Sequence, residues 1–135
     1  MPIEKINPPE LSEPQGFIHV TVATGSKLVF LSGQGGTAQD GSIVGEGDLA
    51  AQTAQALRNV KAGLDAAGAT FEDIVKTTLY VVDWSEDKFE QLMAGVMEAA
   101  GELGGAPVAS STLVAVQGLF DPGYLIEVDV TAVVG

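Results

Sequence analysis

Cysteine is absent from the 135 residues of this chain, and histidine occurs only once, at His19. Without cysteine the chain can form no disulfide, no thiolate nucleophile and no zinc–thiolate site. A single histidine also excludes a metal site built from several histidines of one chain. These absences remove disulfide, thiolate and multi-histidine metal chemistry from the candidate functions.

Positive charge is also scarce. Six Lys and Arg residues stand against 18 Asp and Glu residues, which gives a net charge of -12. Nucleic-acid binding needs a cationic face for the phosphate backbone, and the cations here are spread from Lys5 to Lys88. We therefore expect no nucleic-acid partner, and anionic membrane surfaces are disfavoured for the same reason. Arg58 is the only arginine, so a site that requires a guanidinium must use Arg58 or do without one.

Long apolar runs are missing as well, since no stretch reaches the roughly 18 residues that a transmembrane helix needs. Residues 1–16 are polar and rich in proline, without the apolar stretch of a signal peptide. This composition predicts no membrane partner and a cytoplasmic location.

The sequence does contain a mixed pattern of strands and helices, with no repeat or boundary within residues 1–135, which predicts a single domain. The order of these elements is typical of an α+β fold: a mixed sheet with both helices on one face. We expect a hairpin between the first two strands, N-caps at Asp48 and Ser85, and a subunit interface on the uncovered, apolar sheet face. Alternating and β-branched residues predict strands at 17–24, 27–33, 74–83, 108–117 and 124–134, and apolar spacing predicts helices at 49–68 and 86–100.

Two carboxylates stand out on the last predicted strand. Glu127 and Asp129 lie two residues apart and therefore share one of its faces, while the opposite, more apolar face is the predicted core face. In the simpler interpretation both are solvated edge charges. In the alternative, one of them lies in a cleft and acts as a general base. The strand alone favours the simpler interpretation.

Several short segments occur in a fixed order along nearly the whole chain. They are Gly16-Phe17-Ile18-His19, Ser32-Gly33-Gln34, Gln52-Thr53 with Ala56-Leu57-Arg58-Asn59-Val60, Ala66-Ala67-Gly68-Ala69 with Asp73-Ile74-Val75-Lys76-Thr77-Thr78, Asp83-Trp84, Pro107 and Ile126-Glu127-Val128-Asp129. Each piece is weak alone, but the combination is specific. It resembles the Rid family of reactive-intermediate deaminases, also called the YjgF family.

This resemblance implies a chorismate-mutase-like α+β fold and a homotrimer whose sheets meet in a central barrel, with three clefts between subunits. It also implies the hydrolysis of imines and enamines to a keto acid and ammonia, with no cofactor and no metal. The ligand would be a small molecule bound in the intersubunit cleft. A trimer agrees with the uncovered apolar sheet face that the pattern predicts.

The resemblance also assigns site residues. The family glutamate that positions or activates the attacking water falls on Glu127, and the serine of the Ser-Gly-Gln motif falls on Ser32. These two are the catalytic candidates, and Gln34 of the same motif is a substrate-binding candidate. Three further substrate-binding candidates have lost polarity relative to the family: Phe17 in place of a tyrosine, Met93 in place of an asparagine, and Leu113 in place of a cysteine.

The substrate-binding arginine of the family's Pro-Ala-Arg-Ser motif is missing. Alignment on Val114-Ala115-Val116 places Ser111 at its position, and alignment on Pro107 places Ala109 there. That arginine would hold a substrate carboxylate through two charge-assisted hydrogen bonds. A cleft without it suits a less charged, more apolar ligand, and Ser111 is kept as a substrate-binding candidate.

These residues favour an imine or enamine deaminase with a non-standard substrate range, in which Glu127 positions water and Ser32 or backbone amides hold the leaving nitrogen. The alternative is a non-catalytic trimer on the same scaffold that binds or senses a small metabolite, and the lost polar residues favour it. An endoribonuclease or translation-inhibitor role, often attached to such sequences by name, is disfavoured by the acidity of the chain.

Overall fold

The computed structural model describes residues 3–135 of the chain. The strands and α-helices follow in the order β1 (Ile3–Ile6), β2 (Val20–Ala23), β3 (Lys27–Phe30), α1 (Leu49–Ala66), β4 (Ile74–Val82), α2 (Phe89–Leu103), β5 (Ser110–Val116) and β6 (Ile126–Val134). Two short 3-10 turns, Phe71–Asp73 and Glu86–Lys88, precede β4 and α2.

Four of the strands form the main sheet, in the order β3-β6-β4-β5. The sheet is mixed, because β6 runs antiparallel to β3 and β4 while β4 and β5 are parallel. Strand β6 lies inside it because its alternate residues are apolar, and Ile126, Val128 and Val130 are buried on the face that packs against α1. Both helices cover this one face, which confirms the predicted α+β fold.

Local signals set the ends of α1. The Asp48 carboxylate accepts a hydrogen bond from the backbone N–H of Ala51 at 3.1 Å, as an N-cap does. The helix stops before Gly68, whose φ of +75° lies in the left-handed region. Between these ends Leu57, Val60 and Leu64 are buried along one stripe of the helix. The predicted bounds of α1 are therefore confirmed to within two residues.

Helix α2 begins later than predicted, at Phe89 instead of residue 86. Ser85 is not its cap: it precedes the 3-10 turn, and its hydroxyl donates to the Asp87 carboxylate. Hydrogen bonding to Ser85 also lowers the pKa of Asp87. The helix continues to Leu103 and ends at Gly104, whose φ is +79°.

The predicted hairpin between the first two strands is wrong. Strand β2 pairs with β1 in a separate two-stranded sheet, and β3 pairs instead with β6. Long-range packing overrides the short connection, because pairing with β6 places Val29 of β3 opposite the buried Ala132. Residues 17–19 also lie outside the strand, since the backbone N–H of Ile18 donates to the carbonyl of Ala109 at 3.1 Å.

The other face of the main sheet is open in the single chain. Its apolar part is concentrated at β3, where Leu28 and Phe30 are 66% and 71% exposed. Its middle is more polar than the sequence pattern suggests, since Lys76 on β4 donates to the hydroxyl of Thr112 on β5 at 2.8 Å. Glu127 lies on this open face, because it alternates along β6 with the buried Ile126 and Val128.

Candidate functional site

A small cavity lies between α2 and the covered face of the sheet, with a volume of about 170 Å³. We call it the apolar cavity. No charged residue lines it. Its lining includes the sequence-predicted residues Phe17, Met93, Ser111 and Leu113, together with Thr77, Leu79, Leu92 and Val128.

Three different parts of the chain bring these predicted residues together. Met93 comes from α2, while Ser111 and Leu113 lie on one face of β5. Phe17 reaches the cavity from the segment before β2, which is held by the bond from Ile18 to Ala109, and its ring meets His19 edge-on with centroids 5.1 Å apart. Four residues named from the family resemblance therefore share one cavity.

The two positions proposed for the missing arginine differ in the structure. Ser111 lines the apolar cavity, and its hydroxyl donates to the carbonyl of Ala109 at 3.2 Å. Ala109 is buried and is not part of the lining. Ser111 is thus the position from which a longer side chain would reach the cavity.

The catalytic candidates lie elsewhere, at a β-bulge after β3. The N–H of Leu31 donates to the carbonyl of Val130 at 3.4 Å, and the N–H of Gln34 donates to the carbonyl of Val128 at 2.8 Å. Two residues, Ser32 and Gly33, therefore stand opposite one residue of β6. A bulge of this kind re-aims the chain locally and is common beside active sites.

Glu127 packs directly against this bulge. A Cβ atom added to Gly33 would lie 1.8 Å from Oε1 of Glu127, so only glycine leaves room for the carboxylate. The Glu127 carboxylate has no hydrogen-bond or ion-pair partner among residues 3–135, although its backbone pairs opposite Tyr80 in the sheet. Gln34 secures the turn itself, because its Nε2 donates to the carbonyl of Ser32 at 3.1 Å. We call Ser32, Gly33, Gln34 and Glu127 the bulge site.

The predicted site residues thus fall into two groups. Val128 lines the apolar cavity, and Glu127, its neighbour on β6, points to the opposite face of the sheet. In one chain the sheet itself separates the carboxylate from the cavity.

Sequence reasoning missed two residues of α1 that hold the segments next to the bulge site: the segment just before β6 and the loop after Gln34. Gln52 is fully buried, and its amide donates to the carbonyl of Gly123 at 2.9 Å and accepts from the N–H of Leu125 at 2.8 Å. Asn59 donates to the carbonyls of Gly35 at 3.1 Å and Thr37 at 2.9 Å. The available signal was the seven-residue spacing of Gln52 and Asn59, which places two amides two turns apart on one helix face.

Arg58 does not serve either group. It forms an ion pair with Glu102 across α1 and α2, with Nε–Oε2 at 2.7 Å and Nη2–Oε1 at 3.1 Å. The hydrogen bond to Glu102 raises the pKa of Arg58, and the same bond lowers the pKa of Glu102. The guanidinium is therefore engaged at the surface and does not line the apolar cavity.

The described part of the chain contains neither a cluster of metal ligands nor a membrane-spanning helix. Within residues 3–135 no group of three or more His, Asp or Glu side chains is placed to hold a metal ion. None of the helices there has the length and apolar character needed to cross a bilayer.

The structure so far is an α+β fold with a small cavity on one face of the sheet and a separate carboxylate at a bulge, and the sequence comparisons identify the family. A sequence model of the family described as Endoribonuclease L-PSP matches residues 12–134. The chain belongs to this family, which is the YjgF or Rid family of the resemblance.

Individual relatives agree with this assignment. The chain is 42% identical over 66 residues to the RutC family protein YjgH of Escherichia coli K12, a match that covers 49% of the chain and only 48% of that relative. Among solved structures, the Rid family protein YyfB of Yersinia pestis has a TM-score of 0.86 at 34% identity and covers 99% of this chain and 100% of its own. TdcF of E. coli with bound serine has a TM-score of 0.65 at 29% identity, with coverages of 84% and 87%.

Proposed function

We propose that this protein hydrolyses imines or enamines to a carbonyl compound and ammonia, with Glu127 as the residue that activates water. The observation that carries the proposal is the carboxylate packed against the backbone of Gly33, without a partner among residues 3–135. A positioned and unpaired carboxylate can accept a proton from water, which makes it a suitable general base.

The hydrolysis adds water to the imine carbon and releases ammonia, and apart from these bond changes it needs only proton transfers. Glu127 accepts a proton as the water oxygen bonds to the imine carbon, and returns it to the nitrogen to give a carbinolamine. It then accepts the hydroxyl proton and passes it to the nitrogen as the C–N bond breaks, so that ammonia leaves and the carbonyl forms. Ser32 or the backbone amides of the bulge hold the leaving nitrogen.

The substrate should be less charged than an imino acid. With Ser111 in place of the family arginine, a substrate carboxylate loses charge-assisted bonds worth about 1.5–3 kcal/mol each. Each lost bond corresponds to roughly 10- to 150-fold in binding or rate. The net charge of -12 adds repulsion toward anions. The uncharged lining of the apolar cavity instead favours a neutral ligand.

A homotrimer completes the site in this proposal. Within one chain the sheet separates Glu127 from the apolar cavity, so a second copy must bring its bulge site to the cavity of the first. The exposed Leu28 and Phe30 provide an apolar surface for such an association. A monomer in light scattering at micromolar concentration would refute this part of the proposal.

The second candidate function is non-catalytic binding of a small metabolite. The apolar replacements Phe17, Met93 and Leu113 in the cavity favour it, because they supply shape and little chemistry. TdcF binds serine on the same fold, which shows that a small molecule can be accommodated by a relative. Saturable binding of a metabolite without any product would support this function over catalysis.

The deciding experiment measures ammonia release from two sets of imines made in situ: neutral imines, made by an amine oxidase from primary amines, and anionic imino acids, made by an amino-acid oxidase from amino acids. We expect release from the neutral imines, and a decrease of about 100-fold or more in Glu127→Gln, because general-base catalysis contributes 10²–10⁴-fold. Ser111→Arg should raise activity toward anionic imines. Unchanged turnover in Glu127→Gln would refute the mechanism, and release only from Ser111→Arg would favour the binding function.

A nucleolytic role is tested in the same preparation. The family description names an endoribonuclease, but a chain with net charge -12 lacks the cationic face that RNA needs. We expect no RNA binding at physiological salt, and measurable binding there would overturn this expectation.

A further inference from the structure

The apolar cavity is lined by a buried polar residue that the proposed reaction does not use. Thr77 of β4 is 5% exposed and lines the cavity beside its strand partner Ser111. Its hydroxyl is the one buried side-chain N or O atom within residues 3–135 that has no hydrogen-bond partner. Other threonine hydroxyls are paired: Thr53 donates to the carbonyl of Leu49 at 2.8 Å, and Thr21 donates to that of Val75 at 2.6 Å.

An unpaired buried hydroxyl needs an explanation, because folding removes it from water without replacing the lost hydrogen bonds. The neighbours of Thr77 on the covered face of β4 are Leu79 and Val81, so a valine would suit this position on packing grounds alone. Thr77 instead lines a cavity of ligand size; its hydroxyl oxygen is itself covered, and rotation about the Cα–Cβ bond would turn it toward a ligand. Ligand sites commonly combine an apolar lining with a few placed polar groups.

The volume and the lining limit what can bind. An engineered apolar cavity of about 150 Å³ in another protein binds benzene, so the 170 Å³ here fits a compact group of roughly six or seven non-hydrogen atoms. Gln15 and Phe89 are exposed members of the lining and mark its mouth. No charged residue among residues 3–135 of the same chain lines the cavity, so an anion there has no counter-charge, and the Glu127 carboxylate of a second copy would repel it.

We propose that Thr77 is the polar anchor of the apolar cavity, and that the cavity selects neutral, compact apolar compounds with one group that hydrogen-bonds to its hydroxyl. For the deaminase reaction, on which the identity of the substrate rests, this class is a neutral imine with a second hydrogen-bonding group: that group pairs with Thr77, while the bulge site of the other copy holds the imine nitrogen. The binding itself does not require that reaction.

The test compares toluene and phenol, which have the same shape and differ by a methyl and a hydroxyl group. Each is titrated into the native protein and into Thr77→Val, and the dissociation constants are read from NMR shifts of the Met93 and Ser111 amides. One neutral hydrogen bond predicts that the preference for phenol over toluene falls roughly 3- to 10-fold in Thr77→Val. Benzoate should bind the native protein more weakly than either.

The matched control is Thr53→Val, which removes a buried hydroxyl outside the cavity lining and should leave the phenol preference unchanged. Thr77→Ser keeps the hydroxyl and should retain the preference. If Thr77→Val does not fold, Thr77→Ala replaces it. An unchanged preference in the hydroxyl-free variant, or no shift of the cavity amides at saturating toluene and phenol, would overturn the proposal.

These outcomes are separable from those of the deaminase assay, because neither toluene nor phenol can be hydrolysed. A Thr77-dependent preference without ammonia release would retain this inference and refute the catalytic function. Ammonia release with a Thr77-independent preference would support the catalytic function and refute this inference.

Discussion

The two faces of the main sheet differ in what they contribute. On the covered face, Ile126, Val128 and Val130 are buried, and the space left beside α2 is a small cavity without charge. On the open face, the Glu127 carboxylate has no partner among residues 3–135 and lies beside a bulge, and Phe30 is largely exposed. In the proposed function, the covered face provides recognition by shape, and the open face provides a reactive group and a surface for association. Strand β6 contributes residues to both faces, because successive side chains along a strand point to opposite faces of the sheet.

The largest expected difference between the faces is in stability. Ile126→Ala removes a side chain with 0% exposure and should lower the free energy of unfolding by about 2–5 kcal/mol. Phe30→Ala, on the open face, should leave the chain folded but weaken association, because Phe30 is 71% exposed in the single chain. Urea unfolding and light scattering measure the two effects. Loss of fold in Phe30→Ala, or an unaffected Ile126→Ala, would contradict this division.

A second prediction concerns the bulge. Gly33→Ala places a Cβ where Oε1 of Glu127 lies, so the carboxylate must move while the fold persists. Ammonia release should fall about 100-fold, as in Glu127→Gln, since a displaced general base loses its contribution. Gly118→Ala is the control, because nothing lies within 4 Å of its added Cβ. Equal activity of the two alanine variants would show that the position of the Glu127 carboxylate does not matter.

A smaller effect distinguishes the two buried threonines. Thr53→Val removes a paired hydroxyl and should reduce the free energy of unfolding by about 0.5–1.5 kcal/mol. Thr77→Val removes an unpaired hydroxyl and should leave that free energy unchanged or raise it. Thermal or denaturant unfolding of the ligand-free protein measures both. An equal loss in the two variants would mean that Thr77 has a structural partner, contrary to this account.

The smallest expected effect lies outside both faces, at the Arg58–Glu102 pair. The hydrogen bond from Arg58 lowers the pKa of Glu102 in the folded chain. The pair therefore stabilises the fold above the unfolded glutamate pKa of about 4.3, and this contribution is lost as pH falls through the lower folded value. Native protein should exceed Glu102→Gln in stability at neutral pH and lose that advantage in acid. A difference that is independent of pH would contradict the assignment, and Glu98→Gln, with Arg58 at 4.0 Å, is the control.

Local sequence signals predicted most of the fold, but they could not predict which strands pair with each other over long range. The cap at Asp48 and the alternation of β6 are short-range properties of the sequence, and both are confirmed. The hairpin was wrong because β2 and β3 are close in the chain but each gains more by pairing elsewhere. The predicted N-cap at Ser85 was wrong for a local reason, because a serine before a helical pattern also suits the start of a 3-10 turn.

The sequence named the candidate site residues but not their arrangement, and the roles of these residues stay predictions. Motif order named Glu127 and Ser111, yet it does not specify that Glu127 lies on the open face while Ser111 lines the cavity. That division depends on which face of the sheet the helices cover. Thr77 gave no signal, because a threonine in a β-branched strand is ordinary until its hydroxyl is found unpaired.

In the proposed trimer the bulge site of one copy serves the apolar cavity of another, and a mixed-chain experiment examines this arrangement. One variant is Glu127→Gln; the other is Met93→Trp, which fills the cavity. Each should be inactive alone. Refolded together in equal amounts, random association places an intact Glu127 beside an intact cavity at about a quarter of the sites, so ammonia release should recover to about a quarter of the native value. No recovery in mixed trimers would mean that each chain must carry both groups, and would contradict the account.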